Sequence, residues 1–162
     1  MTSPPAKAGD ASTAQTTTTT RDVLRSLPLK QTDTNDKTTS YAYDALGRST
    51  KVWLADRLTG QTLTYEFTYD VAENQPVAVG TKTLGNNGAQ RTSYTLYDGL
   101  LRERQTQAPG PDGGRLLTDV FYDERGLKSK DFATYYTDGK PATTFFKPED
   151  ASAANHSRSA CS

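Results

Sequence analysis

The 162-residue sequence is poor in the residues that build a large hydrophobic core. Isoleucine is absent, and leucine, valine and phenylalanine together make up about 15% of the chain, below the roughly 20% that marks disordered chains when net charge is also high. Here 19 basic and 19 acidic residues give a net charge of zero, so charge repulsion does not limit packing. A large self-contained core is therefore not expected.

The balanced charge and the shortage of apolar runs also argue against nucleic-acid binding, a membrane span and a signal peptide. Nucleic-acid binding requires a basic excess, which the balanced charge does not supply, so we expect no nucleic-acid partner. The chain has no apolar run of about 18 residues, so we expect no membrane span. Residues 1–20 lack the apolar core of a signal peptide, and we expect none in this chain.

Reactive side chains are equally scarce. Cys161 is the only cysteine and His156 the only histidine, so neither an internal disulfide nor a cysteine–histidine metal site is available. Both lie in a polar C-terminal segment where a paired nucleophile and base are not expected. Residues 33–36 resemble part of a calcium loop but lack its glycine and distal glutamate. We therefore predict no catalytic residue, no metal and no cofactor.

What the chain has is a spaced Tyr-Asp motif. Its 15 aromatic residues all lie between Tyr41 and Phe146. Tyr-Asp pairs begin at residues 43, 69, 97 and 122, so the gaps are 26, 28 and 25 residues. A near-constant period in this range is typical of repeat architectures. The sequence therefore predicts repeated hairpins, with one Tyr-Asp turn in each.

The clearest copy is residues 41–48, with the sequence Tyr-Ala-Tyr-Asp-Ala-Leu-Gly-Arg. Tyr41 and Tyr43 project to one face of a strand. Asp44 suits the first position of a turn, and Gly47 suits a residue with positive φ, after which Arg48 resumes an extended run. The other copies keep parts of this pattern at Tyr69, Asp70, Tyr97, Asp98, Tyr122, Asp123 and Gly126.

These features predict an all-β fold of repetitive antiparallel hairpins with disordered termini. Residues 1–37 are predicted to be a disordered tail or linker, within which residues 21–30 favour either a helical turn or an edge strand. Residues 38–147 are the predicted sheet, in which the strict alternation of 62–69 indicates the best strand. Residues 148–162 are predicted to be a second disordered tail.

The octapeptide 41–48 and the spaced pairs resemble the YD repeats of the RHS family, which includes the C subunits of insecticidal toxin complexes and the teneurins. Residues 97–123 are similar to actinobacterial RHS proteins, and the resemblance spans about 38–146. It implies a β-sheet that spirals into a hollow shell around a C-terminal toxin or effector. It also implies neighbouring repeats as partners and a secreted or cell-surface location. Nothing here resembles the family's self-cleaving core, so autoproteolysis is not expected.

Three functional hypotheses follow. The first is a structural shell segment without catalysis, which as four repeats is near the minimum for stability and is expected to be a fragment or to need neighbours. The second is an extracellular module that binds carbohydrate or a cell surface, with Trp53 as the candidate for stacking on a sugar. The third is a hydrolase with paired acids. It is disfavoured because a turn position already explains each aspartate.

Overall fold

The described residues form ten β-strands, which confirms the all-β prediction. The computed structural model describes Thr2, residues 16–54 and residues 56–147. In these ranges there is no α-helix, and one short 3₁₀ turn occurs at Pro111–Gly113. The described residues contain no helix with the length and apolar character needed to span a membrane. The strands are β1 Thr18–Arg21, β2 Pro28–Thr32, β3 Thr38–Tyr43, β4 Ser49–Trp53, β5 Tyr65–Asp70, β6 Val77–Leu84, β7 Gln90–Tyr97, β8 Glu103–Pro109, β9 Arg115–Tyr122 and β10 Lys128–Thr137.

The strands are antiparallel and ordered in the sheet as they are in the chain, from β1 to β10. Short reversals therefore suffice to connect them. Contacts divide the chain into two units, residues 1–67 and residues 68–162, and β5 contributes to both. Because each strand pairs with its neighbours in sequence, the architecture is a meander in which hairpins recur.

The first unit is built largely from threonine and tyrosine strands. Lys30 of β2 lies opposite Ser40 of β3, and Tyr41 of β3 lies opposite Val52 of β4. At the end of the β2–β3 hairpin the hydroxyls of Thr32 and Thr38 are 3.0 Å apart. Such β-branched and aromatic residues favour the extended backbone.

Two strands lie upstream of residue 38, inside the segment for which the sequence predicts a linker tail. β1 and β2 are mostly exposed and show no hydrophobic alternation. β1 pairs with β2 and β2 pairs with β3, and this pairing stabilises them instead. Within residues 21–30 the structure has a reversal between β1 and β2, and β2 is an interior strand rather than an edge strand. The predicted C-terminal tail, residues 148–162, lies outside the described residues together with His156 and Cys161.

The strand predicted for residues 62–69 begins later than its alternation indicates, since β5 covers Tyr65–Asp70. The residues just before it form a loop against β4. The Gln61 carbonyl accepts a hydrogen bond of 3.2 Å from the Trp53 indole N–H. The Thr64 hydroxyl accepts one of 3.1 Å from the Leu54 N–H. These contacts with distant residues override the local strand propensity of the segment.

The second unit places one row of buried residues across four strands. Ala78 of β6 lies opposite Leu96 of β7, which lies opposite Gln105 of β8, which lies opposite Asp119 of β9. All four are at least nine-tenths buried. Half of this row is polar, so the buried face requires hydrogen bonds as well as apolar contacts.

Candidate functional site

Asp44 organises the reversal between β3 and β4. Its Oδ1 accepts hydrogen bonds of 2.9 Å from the backbone N–H groups of Leu46 and Arg48. Its Oδ2 accepts one of 2.7 Å from Arg48 Nε. The Gly47 N–H donates to the Asp44 carbonyl at 3.1 Å, and Gly47 has φ of 80°, which favours glycine. One side chain therefore satisfies three donors and fixes a five-residue turn.

Asp98 forms the same turn between β7 and β8. Its Oδ1 accepts from the N–H groups of Leu100, at 2.9 Å, and Arg102, at 3.0 Å. Arg102 Nε donates to Oδ2 at 2.8 Å, as Arg48 does to Asp44. Leu101 takes the position of Gly47 with φ of 58°, so the turn accepts backbone strain that a glycine would avoid.

Asp123 repeats the arrangement between β9 and β10. The N–H groups of Arg125 and Leu127 donate to its Oδ1 at 3.0 and 2.9 Å. Gly126 has φ of 81°. The charged partner differs, because Arg125 Nη2 reaches Oδ2 at 3.1 Å from within the turn. The backbone bonds are thus common to the three turns, and the source of the guanidinium varies.

A β-bulge follows each of these three turns. The ladder register shifts at these points. As a result, no residue of the preceding strand is paired in the ladder with Thr50, Arg104 or Ser129. Each is the sixth residue after its turn aspartate. An extra residue changes the face to which nearby side chains point. The turn and bulge together therefore form one structural unit of the repeat.

The Tyr69-Asp70 pair does not make this turn. Tyr69 and Asp70 are the last residues of β5. The left-handed residue of the following reversal is Asn74, with φ of 62°, so Val71 holds the position that the aspartate has elsewhere. The Tyr-Asp spacing identified the position of the reversal to within one residue but not the residue that would cap it.

Asp33 makes the same turn between β2 and β3, although no tyrosine precedes it. Its Oδ1 accepts from the N–H groups of Asn35, at 2.8 Å, and Lys37, at 2.9 Å. Asp36 occupies the left-handed position with φ of 59°. A search for an aspartate followed three residues later by Gly, Asn or Asp would have found this turn.

Two tyrosines of the motif attach their hairpins to the strand before them. The Tyr43 hydroxyl donates to the Pro28 carbonyl at 2.8 Å in the first unit. The Tyr122 hydroxyl donates to the Glu103 carbonyl at 2.9 Å in the second. The Arg102 guanidinium, which also binds Asp98, lies 4.4 Å from the centre of the Tyr122 ring. Arg102 thus connects the Tyr-Asp sites of two successive repeats.

Two further predicted tyrosines lie in the ladder. Tyr41 is half-buried and lies opposite Val52. Tyr97 ends β7 and lies opposite both Val77 and Glu103.

Trp53 is not available for sugar stacking. It is only 7% exposed, and its indole N–H is bonded to the loop that precedes β5. The prediction of an exposed tryptophan on the sheet face is therefore wrong. The physical reason is that its large apolar ring is buried and its one polar group is bonded to the Gln61 carbonyl.

A segment after β10, residues 141–147, is held on the second unit by two buried glutamines, and we call it the strap. Gln105 binds both backbone groups of Phe146, donating to its carbonyl and accepting from its N–H, each at 2.9 Å. Gln107 donates to the Thr144 carbonyl at 2.8 Å and accepts from the Ala142 N–H at 2.9 Å. Both glutamines are at most 1% exposed, so the strap satisfies amides that would otherwise be buried without partners.

The described residues contain no cluster of three or more acidic, histidine or cysteine side chains suited to a metal ion. The carboxylates of Asp44, Asp98 and Asp123 are each engaged by turn donors. Groups held in this way are positioned to stabilise turns rather than to transfer protons to a substrate.

Comparison with known families gives a match in the first unit. Residues 27–52 match the RHS Repeat family model. The matched RHS repeat contains the Asp33 and Asp44 turns and the strands on either side of them. Outside it, Asp98 and Asp123 form turns of the same geometry. No curated protein matches the chain.

Replacing Asp98 with alanine should lower the free energy of unfolding by about 1 kcal/mol, because the turn N–H groups and Arg102 lose their acceptor. Urea unfolding followed by circular dichroism would measure the change. Asp70→Ala is the matched control, since it removes an aspartate from a Tyr-Asp pair that caps no turn, and it should change stability by less than about 0.5 kcal/mol. Equal effects of the two substitutions would contradict this role.

Stability should fall in acid. Partial burial alone would raise the pKa of the Asp98 carboxyl, but hydrogen bonds from Arg102 and Leu100 hold it below its usual range. The pKa of Asp44 is lowered in the same way, and that of Asp123 is lowered chiefly by the Leu127 N–H. These carboxyls bind protons more readily in the unfolded chain than in the folded protein. They therefore stabilise the folded protein fully above the pKa of the unfolded chain, about 3.9, and this contribution is lost as pH falls through the lower pKa values of the folded protein. Urea midpoints that stay constant from about pH 5 to 2 would contradict this.

Proposed function

We propose that this chain is a structural segment of an RHS-type β-shell that encloses or presents a C-terminal effector, with no catalysis of its own. The match of residues 27–52 to an RHS repeat supports the family assignment. The observation that carries the proposal is the contact between successive repeats, in which Arg102 binds Asp98 of one and stacks on Tyr122 of the next. Stability then depends on neighbouring repeats.

The ends of the strand order support a continuing sheet. β1 and β10 are the first and last strands among the described residues. A terminal strand has a row of backbone groups that can pair with a further strand. Further RHS repeats of the same protein are therefore the proposed partners of these edges.

The acids of the repeats support a role without catalysis. Each turn aspartate accepts several backbone hydrogen bonds, and the same geometry recurs at Asp33, Asp44, Asp98 and Asp123. A catalytic acid is needed once in a site, whereas a turn residue is needed once in each hairpin. The proposed location, extracellular or at the cell surface, follows from the RHS repeat.

Duplicating one repeat tests the modular architecture. A second copy of residues 103–127, inserted after Leu127, adds two strands and one Asp123-type turn while preserving the up-and-down order. We expect the longer chain to remain β-rich and to unfold at a higher urea concentration, because each added repeat contributes another interface. The control insert has the same composition in shuffled order. A duplicated chain no more stable than the shuffled one would contradict the proposal.

Limited proteolysis tests the enclosing role. In the longer protein to which we assign this chain, the segment C-terminal to the repeats should resist protease at concentrations that cleave the same segment expressed alone. Asp98→Ala combined with Asp123→Ala should remove the protection, because it loosens two successive turns. Asp70→Ala is the control and should leave the C-terminal segment protected from protease. Equal cleavage of the enclosed and isolated segments would contradict enclosure even if the repeats prove modular.

A further inference from the structure

The face of the second unit carries a pocket of about 530 Å³. β8, β9 and β10 supply part of its lining, and the end of the strap supplies the rest. This volume lies within the roughly 300–1,000 Å³ of sites that hold small molecules. Its lining includes Arg104, Asp119, Phe121, Lys130, Phe132 and Lys147.

β-Bulges explain how these side chains converge. Arg104 and Gln105 are consecutive in β8, and consecutive strand residues normally point to opposite faces. Both nevertheless line the pocket, because Arg104 is the bulge residue that follows the Asp98 turn. A second register shift between Phe132 and Tyr135 brings both of these β10 residues to the same pocket. Two irregularities of the ladder, one of them the bulge after the Asp98 turn, therefore bring these side chains together.

The charge of the lining is predominantly positive. It contains three cations, Arg104, Lys130 and Lys147, and one carboxylate, Asp119. Within the described part of the chain none of the three cations forms an ion pair with an acid.

The one carboxylate is already engaged. Asp119 Oδ1 accepts from Gln105 Nε2 at 2.8 Å, and its Oδ2 accepts from the Tyr135 hydroxyl at 2.5 Å. Burial, reinforced by this contact, raises the pKa of Tyr135, so the phenol stays protonated and keeps donating. The hydrogen-bonding positions of the carboxylate are therefore occupied by neutral donors, and the lining keeps two positive charges in excess.

The walls between the cations are aromatic. The Phe121 and Phe132 rings meet edge to face with centres 5.6 Å apart. Arg104 lies 4.0 Å from the Phe121 ring centre, and Lys130 lies 4.4 Å from that of Phe132. Such a surface offers apolar contact and positive charge within one small volume.

We propose that this pocket binds a small amphipathic anion, namely an aromatic ring that carries a carboxylate. The ring packs among the phenylalanines, and the carboxylate pairs with Lys130 and its neighbouring cations. A neutral sugar fits less well, because the polar groups of Gln105 and Asp119 are already bonded to each other and to the protein. This proposal stands on the second unit alone and does not depend on the shell function.

NMR titration of the full chain with 3-phenylpropionate tests the proposal. We expect saturable shifts at lining residues, binding several-fold weaker for the neutral 3-phenylpropanamide, and no saturation with 3-phenylpropylamine or with acetate. Comparable affinity for the acid and the amide, or shifts away from the lining, would overturn it. The proposal would also be overturned if 3-phenylpropionate did not saturate the protein.

Lys130→Gln should weaken 3-phenylpropionate about two- to fivefold, the effect expected from one exposed ion pair. Lys128→Gln is the matched control, since Lys128 lies in the same strand and does not line the pocket. Lys147→Gln gives an independent second variant if Lys130→Gln disturbs the sheet. Equal losses for Lys128→Gln and Lys130→Gln would overturn the proposal. If 3-phenylpropionate saturated only the variant that combines Glu149→Gln with Asp150→Asn, the proposal of an external anion would be overturned. The result would favour these two acids of the chain as the partners of the cations.

Discussion

The bonds from an aspartate carboxylate to backbone N–H groups two and four residues later are what four hairpins of the described residues depend on. They close the turns at Asp33, Asp44, Asp98 and Asp123 with nearly the same distances. A five-residue reversal leaves donors that the strand ladder does not reach, and the carboxylate satisfies them. Once the turn is fixed, the register of the two strands is fixed as well.

Bulges extend the effect of the turns into the sheet. The unpaired residue that follows three of these turns changes side-chain direction, and in β8 it brings Arg104 to the face that carries Gln105. The buried glutamines of that face are satisfied by the strap. The fold thus compensates for its lack of isoleucine and its low apolar content with backbone pairing and a closed set of amide hydrogen bonds.

Contacts between repeats follow from the same residues. An arginine near the end of one turn binds its own aspartate and stacks on the tyrosine of the next repeat, and the tyrosine hydroxyl bonds a carbonyl of the adjacent strand. Each repeat is therefore stabilised by its neighbour more than by a core of its own. This arrangement accounts for how a chain with so little apolar content forms an ordered sheet.

Sequence by itself determined the all-β class, the period of the hairpins and three of the aspartate turns. The turns could be predicted because their bonds join residues at most four apart, and the class because the Tyr-Asp pairs recur at a near-constant spacing. It did not reveal β1 and β2, whose exposed strands are stabilised by pairing, nor the burial of Trp53. It also gave no sign of the strap, since Gln105 meets Phe146 across 41 positions of the chain. Only the tertiary structure decided those features, because each requires partners that no local pattern brings together.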